Sequence, residues 1–338
     1  MHRNCLLENH IDLFNRQIFF WIYEQNSNAT AIAIFASKFN IMISPRLSLV
    51  LGVLFISIFP VLVKWAPVSG ISSAFYRMFI GFICLLPFVL IGKKLVKPAV
   101  GQWIPIVLCG ILFGSDIAVW NLSIQYSNAT QATLLTNLSP VWVGVASFFF
   151  LPNKPAARFW LGTLTALAGL VILIGFDTFA SMRFDKGFLL AVLSGILYAS
   201  YMLISKTVLN RMSIVSFMTY SMGVSSFYLL VICVLGNEPL WNFEPQIWGV
   251  LAIQGIVCQL LGWLAISYAV HKMDATRVSL SLLSQSVVTG LLAWIFINEK
   301  FTLQMILGGM VILLGIAITF KRKTKPISEG NSILADKL

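Results

Sequence analysis

Charge is scarce in this sequence. Asp, Glu, Lys and Arg make up 10% of its 338 residues and hydrophobic residues 58%, whereas a soluble domain carries about 25% charged residues. Such a chain cannot cover a water-facing surface, which excludes a soluble globular fold. Histidine occurs only at positions 2, 10 and 271, all outside the long apolar runs, so a serine–histidine site within a bilayer is excluded. The five cysteines are Cys5, Cys84, Cys109, Cys233 and Cys258. Four lie inside apolar runs without CxxC spacing, and they read as small packing residues rather than a disulfide framework or a metal site. No glycine-rich phosphate loop is present, so an ATP-driven pump within this chain is excluded and no cofactor is expected.

What remains is apolar length. Runs near the ~20 residues needed to cross a bilayer recur from position 47 onward. We place ten spans at about 46–64, 71–92, 102–123, 127–151, 159–177, 187–209, 213–235, 246–270, 274–297 and 302–320. A transmembrane barrel would show short alternating segments instead. The net charge of +11 does not indicate nucleic acid, because the basic residues sit in short loops and the C-terminal tail. Loops after even-numbered spans, with the tail, carry fourteen Lys and Arg residues, from Lys93 to Lys337. The opposite side carries four: Lys64, Arg183, Lys186 and Lys300. The positive-inside rule then places both termini in the cytoplasm, with the chain in the plasma (inner) membrane. Residues 1–44 mix charge and apolar residues without a clean span or secretory signal. They are expected to be an N-terminal extension outside the core, with Met42 a sensible natural start.

The chain also repeats itself. Residues 129–154 align without gaps on 275–300, with seven of 26 positions identical, among them Gly144/Gly290, Phe150/Phe296 and Lys154/Lys300. LAGLVILIG (167–175) matches LGGMVILLG (307–315). Five spans is an odd number, so the second copy enters the membrane upside down relative to the first. Inverted-topology repeats are an architecture of secondary transporters, whose substrate site lies near the midplane between halves. The expected fold class is all-α integral membrane, with ten transmembrane helices in two inverted-topology five-helix repeats. Residues 46–178 form the first repeat, 186–320 the second, and 321–338 a basic cytoplasmic tail.

Several motifs carry a family resemblance. AFYRM (74–78) opens the second span, DIAVWNLSI (116–124) closes the third, NATQATLLTNLSPVWV (128–143) lies in the fourth, and FINEK (296–300) ends the ninth. With them the chain resembles the drug/metabolite transporter superfamily, in particular its ten-helix EamA-type transporters. The resemblance covers about residues 46–320. It departs where the Glu that often ends the fourth helix is Asn153, and where Pro140 has Ser286 as its counterpart. It implies alternating-access movement of a small organic metabolite, often an amino acid or related compound, usually as efflux. Uptake or exchange of a nucleoside-type metabolite and multidrug export are the alternatives within that class. A non-transporting receptor or scaffold is the rival outside it. The partners implied are the small-molecule substrate, the lipid bilayer, and a proton or counter-substrate for coupling, in a monomer or homodimer.

Two charges lie well inside spans. Arg77 is six residues from the outer end of the second span, and Asp116 is seven from that of the third. At about 1.5 Å per residue both lie ~9–10 Å deep. Isolated charges in lipid are costly and face the bundle interior, so an Arg77–Asp116 pair is expected, as a helix lock or as a substrate or proton site. Their counterparts in the second repeat are Tyr220 and Gln259. Asn137 and Gln285, mid-span on repeat-equivalent helices, are the expected pocket residues, with Gln131, Tyr201 and Gln254 nearby. Pro140 is the expected hinge. The Asn-x-Ser/Thr triplets at Asn121, Asn128 and Asn137 lie in or between tightly joined spans and are chance matches, because a glycan acceptor needs an accessible loop.

Overall fold

The computed structural model describes residues 44–65, 68–126, 135–150, 154–176, 180, 184–297 and 302–320. The expected extension 1–44 (apart from Ser44), the tail 321–338, Gln131, Asn128 and Asn153 lie outside them. Every regular element among the described residues is helical, and nine helices are long and apolar enough to cross a membrane. The chain is a multi-pass, all-α integral membrane protein.

The first span is Pro45–Ser57 continued by Phe59–Trp65; the second is Gly70–Ile91 and the third Trp103–Tyr126. The described part of the fourth is Ser139–Phe150, and the fifth is Ala157–Ile174. The sixth is Lys186–Leu209 and the seventh Ile214–Leu235. The eighth runs Pro245–Ile253, Gln254–Leu261 and Gly262–Lys272, its middle part a π-helix. The ninth is Ala275–Ser281 with Ser284–Ile297, and the tenth Leu303–Phe320. Polar caps write several of these starts. Ser44 Oγ accepts from Leu47 N ahead of Pro45, Asp185 Oδ1 accepts from Phe188 N at 2.7 Å, and Ser213 Oγ accepts from Ser216 N. Each supplies an acceptor to an otherwise orphaned first-turn amide.

Three spans are interrupted. Pro60 has no N–H to give Ile56 O, four residues back, and the first span breaks at Ile58. The ninth span repairs the loss, as membrane helices do for freed carbonyls: Gln285 Nε2 reaches Ile56 O at 3.5 Å, and Thr289 Oγ1 donates to Ser57 O at 3.0 Å. In the fourth span a turn at Asn137–Leu138 precedes Pro140, which cannot bond Thr136 O. In the ninth, a turn at Leu282–Leu283 has no proline. There Ser281 Oγ and Ser284 Oγ donate to Arg277 O and Ser281 O, and the backbone tightens to i→i+3 bonds such as Gln285 N→Leu282 O and Ser286 N→Leu283 O. Serine bonding back to its own helix bends it in this way.

The fifth and tenth spans pack backbone to backbone. A Cβ built on Gly162 would stand 2.5 Å from Gly315 O, and one on Gly308 would stand 2.4 Å from Leu173 N. Small residues permit such an approach where no hydrophobic effect drives helices together. Leu161, Leu164, Phe227 and Leu314 are exposed on the bundle's outside, the apolar surface that a bilayer solvates.

Candidate functional site: a polar seam between the halves

Several buried polar groups of the first half find their partners late in the chain. Arg77, 6% exposed, donates from Nε to Gln259 Oε1 at 2.9 Å. Its guanidinium also lies over the Phe59 ring, 4.3 Å from the centroid, a favourable cation–π arrangement. One turn earlier, Ser73 Oγ donates to Gln254 Oε1 at 3.0 Å. Ser73 and Arg77 are four apart on an α-helix, but Gln254 and Gln259 are five apart. Round an α-helix that spacing would turn them about 140° from each other. The wider π-helical turn brings both amides to one side, facing the second span. Gly81 and Gly255 let the two helices approach: a Cβ on Gly255 would stand 2.6 Å from Ile80 Cβ.

Asp116, 7% exposed, accepts from Ser194 Oγ at 2.6 Å. The expected Arg77–Asp116 ion pair is therefore replaced by two other contacts. Arg77 and Asp116 form no ion pair within 4.0 Å, whereas Arg277 and Asp274 form one at 3.2 Å. The physical reason is that each has a neutral hydrogen-bonding partner nearer to hand, which sequence charge alone does not disclose.

Between these anchors lies an aromatic cluster. Phe113 stacks on Tyr201 with centroids 4.5 Å apart and 12° between planes. Trp263 stands edge-on to Phe113 at 4.5 Å and to Tyr201 at 5.8 Å, and its centroid is 6.2 Å from that of Tyr198. Tyr198 is one turn beyond Ser194, and Phe113 one turn before Asp116. Tyr198 Oη, Trp263 Nε1 and Gln259 Nε2 are buried without a hydrogen-bond partner.

A second polar cluster joins the interrupted spans. Asn137 Nδ2 donates to Ser286 Oγ at 3.4 Å, and Gln285 touches the first span as described. Asn137 thus meets the neighbour of Gln285 in the ninth span while the Gln285 side chain turns to the first span, and Pro140 sits three residues past Asn137. Asn121 is buried and donates to Gly70 O at 2.6 Å. Tyr220 stands apart from both clusters, edge-on to Trp103 at 5.2 Å. Sequence reasoning missed Ser194, Tyr198 and Trp263 as site residues. Serines and aromatics in apolar spans read as glue and packing, so nothing in the pattern singled these three out.

Above Arg77, at the start of the second span, Ser72 Oγ donates to Pro239 O at 2.6 Å and Tyr76 Oη donates to Leu240 O. Ser69 Oγ bonds Glu238. Tyr76 also meets Phe243 and Trp248 edge-on at 6.0 and 5.0 Å. These contacts shut that end of the bundle between the second span and the seventh–eighth connection.

No group of metal-ligating side chains is present among the described residues, and the buried charges sit at hydrogen-bonded contacts between helices. The chain matches the EamA-like transporter family twice, over residues 44–175 and 185–321; it belongs to that family, and is a transporter rather than an enzyme. Similar proteins include an uncharacterized transporter of Archaeoglobus fulgidus, 23% identical over 253 residues, covering 73% of this chain and 86% of the relative. An S-adenosylmethionine uptake transporter of Rickettsia bellii is 26% identical over 244 residues, covering 71% and 80%. A crystal structure 18% identical in sequence has the same fold, with TM-score 0.70 over 82% of this chain and 96% of its own.

Proposed function

We propose that the protein is a secondary transporter that moves a small organic metabolite, an amino acid or related compound, outward by alternating access. Its two halves would have opposite orientations in the inner membrane, with both termini cytoplasmic. The carrying observation is that both intramembrane charges of the first half are held by the second: Arg77 by Gln259 and Asp116 by Ser194. These are single hydrogen bonds across a seam, and a rocking motion of one half against the other breaks them without unfolding either. Asn137, Gln285, Asp116, Arg77, Gln259 and Tyr201 would line the path, and Tyr220 would act at its far end. Asp116, when parted from Ser194, is the group to accept a substrate ammonium or a coupling proton.

A second reading, uptake of a nucleoside-type metabolite, is favoured by the names of two relatives, the S-adenosylmethionine uptake transporters of Rickettsia bellii and Rickettsia prowazekii. Vesicles containing the purified protein separate the two. Labelled amino acids and S-adenosylmethionine are offered on either side, without ATP, under a pH gradient or with unlabelled counter-substrate. Amino-acid movement lost in Asp116→Asn supports the first reading, and S-adenosylmethionine movement the second. No movement of any panel member across the bilayer would sink both.

A further inference from the structure

The unpartnered polar atoms of the aromatic cluster share one chemistry. Gln259 Nε2 and Trp263 Nε1 can only donate, and Tyr198 Oη has a proton to give. Their residues are 0%, 6% and 9% exposed. Buried donors left unmade cost free energy, so native proteins leave few of them. Here three lie in one neighbourhood: Gln259 and Trp263 four residues apart on the eighth span, and the Trp263 ring against that of Tyr198.

The orientation of the Gln259 amide follows from its partner. A guanidinium has no acceptor, so the Gln259 atom that faces Arg77 must be the oxygen. Arg77 therefore turns Gln259 Nε2 away from itself. Arg77 is a positioning residue: it aims a donor rather than presenting its own.

We infer that Gln259 Nε2, Trp263 Nε1 and Tyr198 Oη form a subsite for the carboxylate of a zwitterionic cargo. The field across the seam sets the polarity. The positive charge of Arg77 stands behind Gln259, on the donor side, and Asp116, bonded to Ser194 one turn from Tyr198, offers a carboxylate beside the donors. A zwitterion aligned in that field places its carboxylate on the donors and its ammonium at Asp116. The rings touch one another in this structure, so cargo enters as Tyr198 and Trp263 part, and they close behind it. This inference rests on the transporter reading and adds the acidic group that the cargo must carry.

The test pairs acids with their decarboxylated amines: L-phenylalanine with phenethylamine, L-methionine with 3-(methylthio)propylamine, and S-adenosylmethionine with its decarboxylated form. Binding to the full-length purified protein is followed by thermal shift and calorimetry. At least one acid is expected to bind about tenfold or more tightly than its amine, the effect of a hydrogen bond to a charged group. Tyr198→Phe and Trp263→Phe should each remove about tenfold for the acid and leave the amine unchanged. A purely packing role makes the opposite forecast for Tyr198→Phe: the ring and its contacts stay, only an unpartnered hydroxyl is lost, and the affinity for the acid would not change. Amines binding as well as acids, no acid binding, or variants binding the acid as the parent does would each overturn the subsite. Vesicle transport of an amine lacking any acidic group would overturn it too, while leaving the transporter reading intact.

Discussion

At the scale of single residues, the seam predicts an asymmetry between removing a partner and replacing it. Gln259→Leu leaves the Arg77 guanidinium buried without its acceptor, at a cost of about 2–3 kcal/mol. Gln259→Glu keeps an oxygen in place and should retain stability, while removing a donor from the aromatic cluster. Thermal unfolding in detergent checks both: the Leu variant should melt well below the parent, the Glu variant near it. Ser194→Ala removes a hydrogen bond to the Asp116 carboxylate, worth about 1.5–3 kcal/mol, and Ser194→Thr, which keeps the hydroxyl, should recover most of it. The sequence makes Arg77 and Asp116 conspicuous because charges in apolar spans are few. It marks Gln259 only as a polar repeat counterpart and Ser194 not at all, so the charged groups were legible and their partnerships were not.

At the scale of elements, the span order follows directly from apolar length, with expected and observed ends agreeing within a few residues among the described residues; the expected start of the fourth span lies outside them. The interruptions were only half legible. Pro60 and Pro140 announce a missing backbone donor, whereas the break at Leu282–Leu283 comes from serines bonding back to their own helix. The π-helical turn of Gln254–Leu261 has no signature in a pattern read with a 3.6-residue period. If the break before Pro140 is where the fourth span moves, Pro140→Ala should raise the melting temperature by restoring a backbone donor and slow transport in vesicles. A variant with unchanged transport would assign Pro140 to a static bend. The ninth span provides the parallel case: Ser281→Ala with Ser284→Ala should straighten it and weaken its hold on Ile56 O.

At the scale of the whole molecule, the fifth and tenth spans form the tightest helix pair, through Gly162, Gly169, Gly308 and Gly315. Gly308→Leu forces the backbones apart and should lower the melting temperature sharply. The same change at Gly249, whose Cβ would meet nothing within 4 Å, should have little effect. At the Ser72 end of the seam, Ser72 and Tyr76 clamp the second span onto Pro239 and Leu240. Tyr76→Phe removes one of these bonds and should favour the conformation open at that end. A cysteine placed at Leu240, buried here, would report the shift by faster labelling with a membrane-impermeant thiol reagent.

Both charged groups of the first half wait for partners synthesised later, Ser194 by 78 residues and Gln259 by 182. While the ribosome is still making the second half, Arg77 and Asp116 already sit in the bilayer, and each is the other's available counter-charge. The ion pair absent from the finished protein is the arrangement expected of the nascent one, a placeholder exchanged as the later helices insert. A product truncated after the fifth span should then depend on that placeholder for survival. In it, Asp116→Asn should speed degradation, far more than the same change does in the complete chain.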